Sequence, residues 1–434
     1  MKKLIVTIAV FVVGNFSLAQ EIIPISKTQL ETKSLDQNLQ IRLAEKEIQL
    51  AQTELLAARA AYLPNITASY SFINTNSPLM AFGTKLNQAR IEMMDFNPDL
   101  LNNPKSINNF NTKIEVQQPI INMDAVYMKK AGEVKTEVLK IQAERTKEYI
   151  RFELKKAYGM LQLAYKMQET LEKAKQTTLT NKKVIENYFN NGMIQKSDVL
   201  YMQVRVSEID SQLQMAKSNI QNASDYLFFL LDQDKTNKIL KPTDALEFQE
   251  FFSNNTTNIS DRKDVQAYQK SLEAYDFMEK ASQSKFLPRL NAFGSFEMND
   301  KKISSFNGNG YMAGLQLSWN VFDGLKSKSE QEKYKAEKLK SQTEIEVYTK
   351  KSLLEISKAQ TQIVDTEAKV NFSKQAWEQS QEAYRIRKNR YDQGLEKSAD
   401  LLTAETLMSQ KELEMQQAIF EHYTAVEYYK FLSS

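Results

Sequence analysis

The sequence predicts a mainly α-helical protein with some β-structure, in which one unit of helices and strands occurs twice. Composition is the first observation behind this prediction. Only 11 glycines and 8 prolines occur in 434 residues, against average shares of about 7% and 5%. Sequence that is poor in glycine but rich in Gln, Lys, Glu, Ala and Leu favours long helices. The second observation is that three landmark segments occur twice in the same order, which indicates an internal twofold repeat.

Residues 1–19 are predicted to be a signal peptide. Lys2 and Lys3 form a basic start, residues 4–13 form an apolar stretch, and Ala19 closes a Ser-Leu-Ala sequence of the kind that signal peptidase cleaves. The apolar stretch is too short for a spanning helix of roughly 20 residues; an N-terminal membrane anchor is the alternative. We therefore expect an exported protein. With no cysteine in the sequence, we expect neither disulfides nor a lipid-modified cysteine.

The sequence contains no arrangement that predicts catalysis, a cofactor or nucleic-acid binding. Charged residues make up 26% of the chain but leave a net charge of only +3, which is unlike a basic nucleic-acid footprint. His422 is the only histidine, which disfavours a metal site or a Ser-His-Asp triad, and we expect it to be packed or solvent-facing. Carboxylates on lysine-rich helices are better explained by pairing four residues apart. We therefore predict that the protein is not an enzyme.

The repeat divides the mature chain into a first copy at residues 20–235 and a second copy at residues 236–434. In order, the recurring segments are Ala57–Phe72 with Ala281–Phe296, Lys113–Asn122 with Gly314–Asp323, and Asn187–Gln203 with Asn389–Glu405. The last two offsets are 314 − 113 = 201 and 389 − 187 = 202 residues. Chance similarity between low-complexity helices would not keep three landmark segments in the same order.

Each repeat is predicted to contain a pair of amphipathic strands, at 65–120 and at 289–322. Pro64 and Pro288 each end a helix, because proline lacks an N–H and restricts the residue before it. Apolar residues then alternate with polar ones, as in Ile66, Ala68, Tyr70 and Phe72, in Leu290, Ala292, Gly294 and Phe296, and in the returning pairs Ile114, Val116, Ile120 and Leu315, Leu317, Val321. Strands of about 9–11 residues with this alternation suit an outer-membrane barrel, and a half-buried soluble hairpin is the alternative. Four strands cannot close a barrel, whereas three chains would supply twelve.

Aromatic residues near the second strand pair are candidates for a girdle at the membrane interface, with core packing as the alternative. They are Trp319, Tyr311, Phe293 and Phe296. The two connections between paired strands, a long one at 74–109 and a short one at 300–310, are predicted to be loops. Residues 232–260 are predicted to be an irregular belt segment around the helices.

Two very long helices follow the strand pairs. One is predicted from Asn122 to about Asn190 and the other from Asp323 to about Gln393, and each ends at a glycine, Gly192 or Gly394. Nearly 70 residues at 1.5 Å each give roughly 100 Å of helix. Return helices are predicted at 197–231 and 399–432. Helices of this length need a partner along their whole length, as in a coiled coil.

The repeated order of helix, Leu-Pro, strand, loop, strand, long helix, glycine turn and helix resembles the TolC-like outer-membrane efflux proteins over the whole mature chain. The Y-x-x-G and S-x-D-L-L patterns at 391–402 look like that family's periplasmic tip, as does G-x-x-x-x-S-D-V-L at 192–200. The D-R-K-D-V-Q sequence at 261–266 is similar to the motif that opens the second repeat. Each motif is short, and it is their order and duplicated spacing that carry the resemblance.

The resemblance implies a homotrimer with a long antiparallel α-helical (coiled-coil) barrel and four transmembrane β-strands per chain that form a trimeric 12-stranded β-barrel. It implies a location in the outer membrane, in contact with its lipid, with helices extending into the periplasm. A periplasmic adaptor (membrane fusion) protein and an inner-membrane transporter of the RND or ABC type would be the partners. The expected function is the exit duct of a tripartite efflux pump. The exit duct of a type I protein-secretion system and a periplasmic coiled-coil scaffold are the alternatives.

The resemblance also implies roles for residues at the tips. Asp198 and Tyr391 fall where the family can place a hydrogen bond that holds the tunnel closed, and Asp400 falls where three copies would form a carboxylate ring. Helix N-capping is the alternative for Asp198 and is less natural for Asp400. Glu396 and Thr403 depart from the family's pattern of a basic residue and a second aspartate. The tip-turn residues expected to contact the adaptor are Gly192, Gly394, Ser197 and Ser398.

Overall fold

The computed structural model describes residues 21–251, 258–303 and 307–434, without the side chains of residues 33–36. The predicted signal peptide and part of the predicted belt segment lie outside the described residues. The rest divides into two compact units. One contains the described residues up to Leu43 together with Glu144–Arg262 and Lys350–Ser434. The other contains Ala44–Ala143 and Lys263–Thr349.

The helices and strands follow the predicted order closely. They are β1 (Glu21–Ile25), α1 (Lys27–Gln37), α2 (Leu39–Ala60), β2 (Asn65–Thr75), α3 (Pro78–Asn87), α4 (Pro98–Asn102), β3 (Ile107–Ile121), α5 (Met123–Asn190), α6 (Lys196–Leu230), β4 (Lys238–Pro242), α7 (Lys263–Ser284), β5 (Arg289–Asp300), β6 (Gly308–Ser318), α8 (Lys326–Asp392) and α9 (Ser398–Ser433). Short 3₁₀ turns lie at Met93–Phe96 and Ile259–Asp261. The predicted long helices are α5 and α8, and the predicted return helices are α6 and α9.

The core of the first unit is formed where α5 and α6 pack with two short strands. Leu154 and Leu161 on α5 join Leu227 and Phe228 on α6 in one buried cluster. Such a seam of apolar residues three or four positions apart is what holds a long helix to its neighbour. Because these side chains are buried, the cluster fixes the end of α6 against the middle of α5.

The predicted belt segment was wrong in one respect, since its described part is not irregular throughout. Strand β4 pairs in parallel with β1, so that Ile23 lies opposite Leu240. The Tyr158 hydroxyl donates to the carbonyl of Ile25 at 3.1 Å, and the Ser224 hydroxyl accepts from the N–H of Leu240 at 2.9 Å. These bonds attach both strands to the helices.

The second unit contains a four-stranded antiparallel sheet in the order β2-β3-β5-β6. In the register, Ile66 lies opposite Val116, Val116 lies opposite Gly294, and Gly294 lies opposite Ala313. One irregularity lies between Pro119 and Ile121. Pairing across the two halves of the chain therefore joins both predicted strand pairs into one sheet.

Two details of the predicted strand pairs were wrong. Strand β6 ends at Ser318 rather than at residue 322, so Trp319 and Val321 lie beyond it. The long connection at 74–109 is not a plain loop, because it holds α3, α4 and a 3₁₀ turn. Both helices begin at a proline, which is favourable at the first helical position because its missing N–H has no partner there.

In the described part of the chain, no helix combines the length and the apolar character needed to cross a membrane.

Candidate functional site

The two glycine turns end the long helices in the same way. Gly192 has φ +74° and Gly394 has φ +73°. Each glycine N–H donates to the carbonyl three residues earlier, and the next N–H, of Met193 or Leu395, donates to the carbonyl five residues earlier, all at 2.9 Å. This is the Schellman arrangement. A Cβ at either glycine would meet nothing within 4 Å, so the positive φ, rather than crowding, requires glycine there.

Asp198 and Asp400 occupy equivalent positions after these turns. Gln195 and Lys397 are the N-cap residues of α6 and α9, so each aspartate is the third helical residue. The Asp198 carboxylate accepts the backbone N–H of Gln195 at 3.2 Å. The alternative that Asp198 is itself the N-cap was therefore wrong, because Gln195 holds that position three residues earlier. Asp198 nevertheless completes the capping box of α6. Asp400 shares this favourable place near the positive end of a helix, but within the described chain the α9 start has no capping box like the one that Asp198 completes.

The hydroxyl of Tyr391 lies beside Ser398, and among the described residues no hydrogen bond joins it to Asp198. Its side chain is buried, and its hydroxyl lies 3.4 Å from the Ser398 hydroxyl. Its ring lies 5.7 Å from that of Tyr188, and burial raises the pKa of the Tyr391 hydroxyl. The buried contact between Tyr391 and Ser398 stabilises the turn between α8 and α9.

An arginine clamp, formed by Arg387 and Arg390 on α8, holds Glu396 in the second turn. Arg387 donates to one oxygen of Glu396 at 2.8 Å, and Arg390 donates to the other at 2.9 Å. Arg387 also lies 4.0 Å from the Asp400 carboxylate. At the position where the resemblance implies a basic residue, the Glu396 carboxylate therefore attracts two basic side chains. The positive charge beside Asp400 is supplied from α8, which the sequence pattern did not reveal.

Glu405 forms a second polar layer one to two helical turns along α9 from Asp400. It has no exposed surface. One carboxyl oxygen contacts the Thr178 hydroxyl, and the other accepts from the Asn181 amide at 2.7 Å. Burial raises the pKa of this carboxyl, against the opposing effects of those two bonds and of the Arg205 charge. Sequence reasoning missed this residue because nothing local marks a buried carboxylate on a helix rich in Glu.

The tips differ in what they expose. Ser197 is exposed at the first tip, whereas Ser398 is buried at the second. Both glycines are exposed, as are the apolar side chains of Met193 and Leu395 that follow them. The tips thus present apolar as well as charged side chains to a partner.

The predicted helix-to-strand transitions lie at the prolines. Pro64 directly precedes β2 and Pro288 directly precedes β5. Beyond them the register gives the sheet two different faces. The apolar face carries Leu290, Ala292, Gly294, Phe296, Tyr311, Ala313, Leu315, Leu317, Ile114, Val116, Ile66, Ala68, Tyr70 and Phe72. The polar face carries Asn65, Thr67, Ser69, Ser71, Asn109, Asn111, Lys113, Glu115, Gln117, Ser295, Glu297 and Asn299. On that face Lys113 lies 3.0 Å from Glu115 and 3.6 Å from Glu297.

The four predicted interface aromatics do not share one face. Phe296 pairs with Tyr311 on the apolar face, whereas Phe293 pairs with Gly314 on the polar face. Phe293 therefore cannot join a girdle with the other two, and its ring instead covers the glycine. Trp319, beyond the strand, donates its indole N–H to the carbonyl of Phe286 at 2.9 Å.

His422 is a packed core residue. Its ring nitrogens lie 3.2 Å from the Thr366 hydroxyl and 3.1 Å from the carbonyl of Gln249, and its ring centroid lies 4.9 Å from that of Phe248. Among the residues that the structure describes, no group of three or more His, Cys, Asp or Glu is placed to hold a metal ion.

Comparison with known families gives this architecture its context. The model of the family described as "Outer membrane efflux protein" matches residues 30–232 and 258–425. The chain belongs to the outer membrane efflux protein family. Proteins of this family are transport proteins of the outer membrane, so the sequence-based resemblance is confirmed.

Solved structures share the fold of this outer membrane efflux protein. The Campylobacter jejuni CmeC outer membrane channel matches with a TM-score of 0.81 and 15% identity over 94% of this chain and 85% of that one. The outer membrane protein VceC of Vibrio cholerae matches with a TM-score of 0.76 and 16% identity, over 94% of this chain and 96% of that one. The open state of the Neisseria gonorrhoeae MtrE outer membrane channel matches with a TM-score of 0.76 and 14% identity, over 94% of this chain and 89% of that one. No curated protein sequence matches the chain.

Proposed function

We propose that this outer membrane efflux protein is the exit duct of a tripartite efflux pump and conducts substrates passively from the periplasm to the exterior. The observation that carries the proposal is that the four-stranded sheet has one apolar face and one polar face. Leu315 and Leu317 are 70% and 69% exposed on its apolar face, and the opposite face is rich in amides, hydroxyls and charges. A sheet of this kind suits contact with hydrocarbon on one side and water on the other.

The two edges of the sheet support a duct built from several copies of the chain, for which we propose a homotrimer. Within the chain, β2 and β6 are the edge strands of the sheet, and an unpaired edge is not tolerated in hydrocarbon. Pairing β6 of one copy with β2 of the next satisfies both edges. Three copies would give the twelve strands predicted for a closed barrel, with the polar faces lining the passage.

The periplasmic gate would lie at the tips. Three copies of Asp400 around a narrow passage would attract cations and disfavour anions. The clamp on Glu396 brings Arg387 within 4.0 Å of Asp400, which moderates that negative charge and ties it to the geometry of the turn. The exposed tip residues would dock the periplasmic adaptor, and an inner-membrane transporter would supply the energy.

Single-channel recording in planar bilayers tests this proposal. We expect a small, cation-selective conductance that divalent cations block, and in Asp400→Ala we expect selectivity and block to weaken. Asp392→Ala is the matched control, because Asp392 is an exposed carboxylate at the end of α8 that is paired with Lys388, and it should behave as the wild type. Channels that do not respond to Asp400→Ala would remove the gate but leave the duct. The absence of channels would favour the periplasmic scaffold.

A further inference from the structure

The segment between β2 and β3 is anchored to the sheet by one buried amide. Gln88, which follows α3, has no exposed surface. Its amide nitrogen donates to the backbone carbonyl of Asn108 and to the side-chain oxygen of Asn109, both at 2.8 Å. Its oxygen accepts from Arg90 at 2.8 Å. A buried amide with its donors and its acceptor in use fixes the position of the chain that carries it.

The amide network continues across two further strand residues. Asn109 donates to the side-chain oxygen of Asn299 at 2.9 Å, and Asn111 donates to the same oxygen at 2.9 Å. Asn299 lies opposite Asn111 in the register, and Asn111 is two positions from Lys113. Successive residues of a strand point to opposite faces, so all three asparagines belong to the polar face. The segment is therefore anchored on the polar face of the sheet and not on its apolar face.

A backbone contact fixes the same end of α3 against β6. A Cβ on Gly308 would lie 1.9 Å from the carbonyl oxygen of Asn87, so only glycine permits this approach. Ala89, with φ +52°, and the bond from the Arg90 N–H to the carbonyl of Lys85 at 3.0 Å end α3 in a tight turn. The end of α3 therefore contacts β3 and β6, and the amide network extends to β5.

We propose that residues 78–103 form a fixed constriction over the outer mouth of the duct, fastened to the lumenal face of the sheet by Gln88. This proposal rests on the proposed function, because it requires the polar face to line the passage. The segment joins the strand ends that lie opposite the Pro64 and Pro288 transitions, which would be the exterior ends. It contains two basic and three acidic residues, so the constriction would select by size more than by charge.

The absence of cysteine from the sequence permits a direct test in intact cells. Ser69→Cys places one thiol on the polar face of β2, opposite Lys113. A small charged maleimide, and maleimides that carry polyethylene glycol chains of increasing length, are added outside the cells. With the native segment, we expect the small reagent to react and the long ones to be excluded. In Ser69→Cys with Gln88→Ala, we expect the long reagents to react.

The control is Ser69→Cys with Asn102→Ala, which alters an exposed asparagine of the same segment and should keep the native exclusion. If Gln88→Ala does not assemble, replacing residues 78–103 with a short Asn-Gly turn gives the same comparison. Long reagents that react equally with every variant would overturn the constriction but leave the duct intact. A thiol that no reagent reaches, in a protein that forms no channels, would overturn the proposed function as well.

Discussion

Glu405 is a carboxyl group whose burial favours its protonated form. The Thr178 hydroxyl can donate only one hydrogen, and it lies 2.9 Å from the carbonyl of Ala174 as well as against Glu405. If that hydrogen goes to Ala174, the carboxyl must itself donate to Thr178. Burial also raises the pKa of the Glu405 carboxyl above its ordinary value of 4.5, since charge is costly away from water.

The pH dependence of stability follows from the raised pKa of Glu405. Below the ordinary pKa, both the folded and unfolded forms are protonated, and burial of the charge costs nothing. As the pH rises from about 4.5, the unfolded form ionises while the folded form keeps its proton, so stability falls until the raised folded pKa is passed. A tenfold difference in proton affinity between the two forms corresponds to about 1.4 kcal/mol of stability.

Replacing Glu405 with glutamine should therefore stabilise the protein at neutral pH. Gln keeps an oxygen for Asn181 and can donate to Thr178, without an ionisable group. We expect the thermal unfolding midpoint of Glu405→Gln to exceed that of the wild type at pH 7, and the difference to shrink at pH 4.

Glu414→Gln is the control with the opposite sign. Glu414 lies on the same helix, and its hydrogen bond to Lys411 at 2.6 Å lowers the pKa of its carboxyl. The small stabilisation of the folded protein by this carboxylate is present above pH 4.5 and is lost as the pH falls. A wild type that is more stable than Glu405→Gln at pH 7 would mean that the bonds to Thr178 and Asn181, with the charge of Arg205, outweigh burial and keep Glu405 ionised.

At the scale of elements, the contact between the end of α3 and the start of β6 depends on one glycine. Gly308→Ala would drive a methyl group into backbone atoms of Asn87 and Gln88, which no side-chain rotation can relieve. We expect a loss of about 1–3 kcal/mol, the range for forced overpacking, measured as the free energy of unfolding of the detergent-solubilised protein.

Gly310→Ala is the matched control, two residues along the same strand. A Cβ there meets nothing within 4 Å, and a strand glycine replaced by alanine gains about 0.5–1 kcal/mol from reduced chain entropy. Equal effects of the two substitutions would show that α3 does not hold this position against β6.

Local chain chemistry explains which elements the sequence could predict. Proline before β2 and β5, glycine after α5 and α8, and strict alternation in the strands are signals contained within a few residues, and these boundaries were predicted closely. The common position of Asp198 and Asp400, each the third residue of its helix, was not predicted, because the two residues were assigned different roles. Long, uninterrupted helices leave little ambiguity because no competing turn signal occurs within them.

The features that sequence missed depend on contacts between distant residues. Strands β1 and β4 pair across more than 200 residues, and five-residue strands carry too little alternation to be recognised. The clamp on Glu396 joins residues on both sides of a turn, and the Gln88 network joins residues from both halves of the chain. In each case the amino-acid type is compatible with many surroundings, and only the fold selects one.

At the scale of the whole molecule, the decisive question is which surroundings the sheet faces. Leu315 and Gln316 are neighbours on β6 and lie on opposite faces, since Leu315 pairs with Ala292 and Gln316 pairs with Asn291. Both side chains are exposed in the single chain. If the apolar face contacts lipid, arginine at 315 should cost about 2–4 kcal/mol near the bilayer midplane, whereas arginine at 316 would face water.

We therefore expect Leu315→Arg to reduce the amount of heat-resistant trimer in the outer-membrane fraction, and Gln316→Arg to leave it near the wild-type amount. The pair is matched in strand, substitution and added charge, so a difference between the two variants isolates the face. Equal assembly of both would mean that water or protein covers the Leu315 face, and the twelve-stranded barrel would be untenable. Loss of assembly in Gln316→Arg alone would place lipid on the opposite face, and the polar lumen would then have to be abandoned.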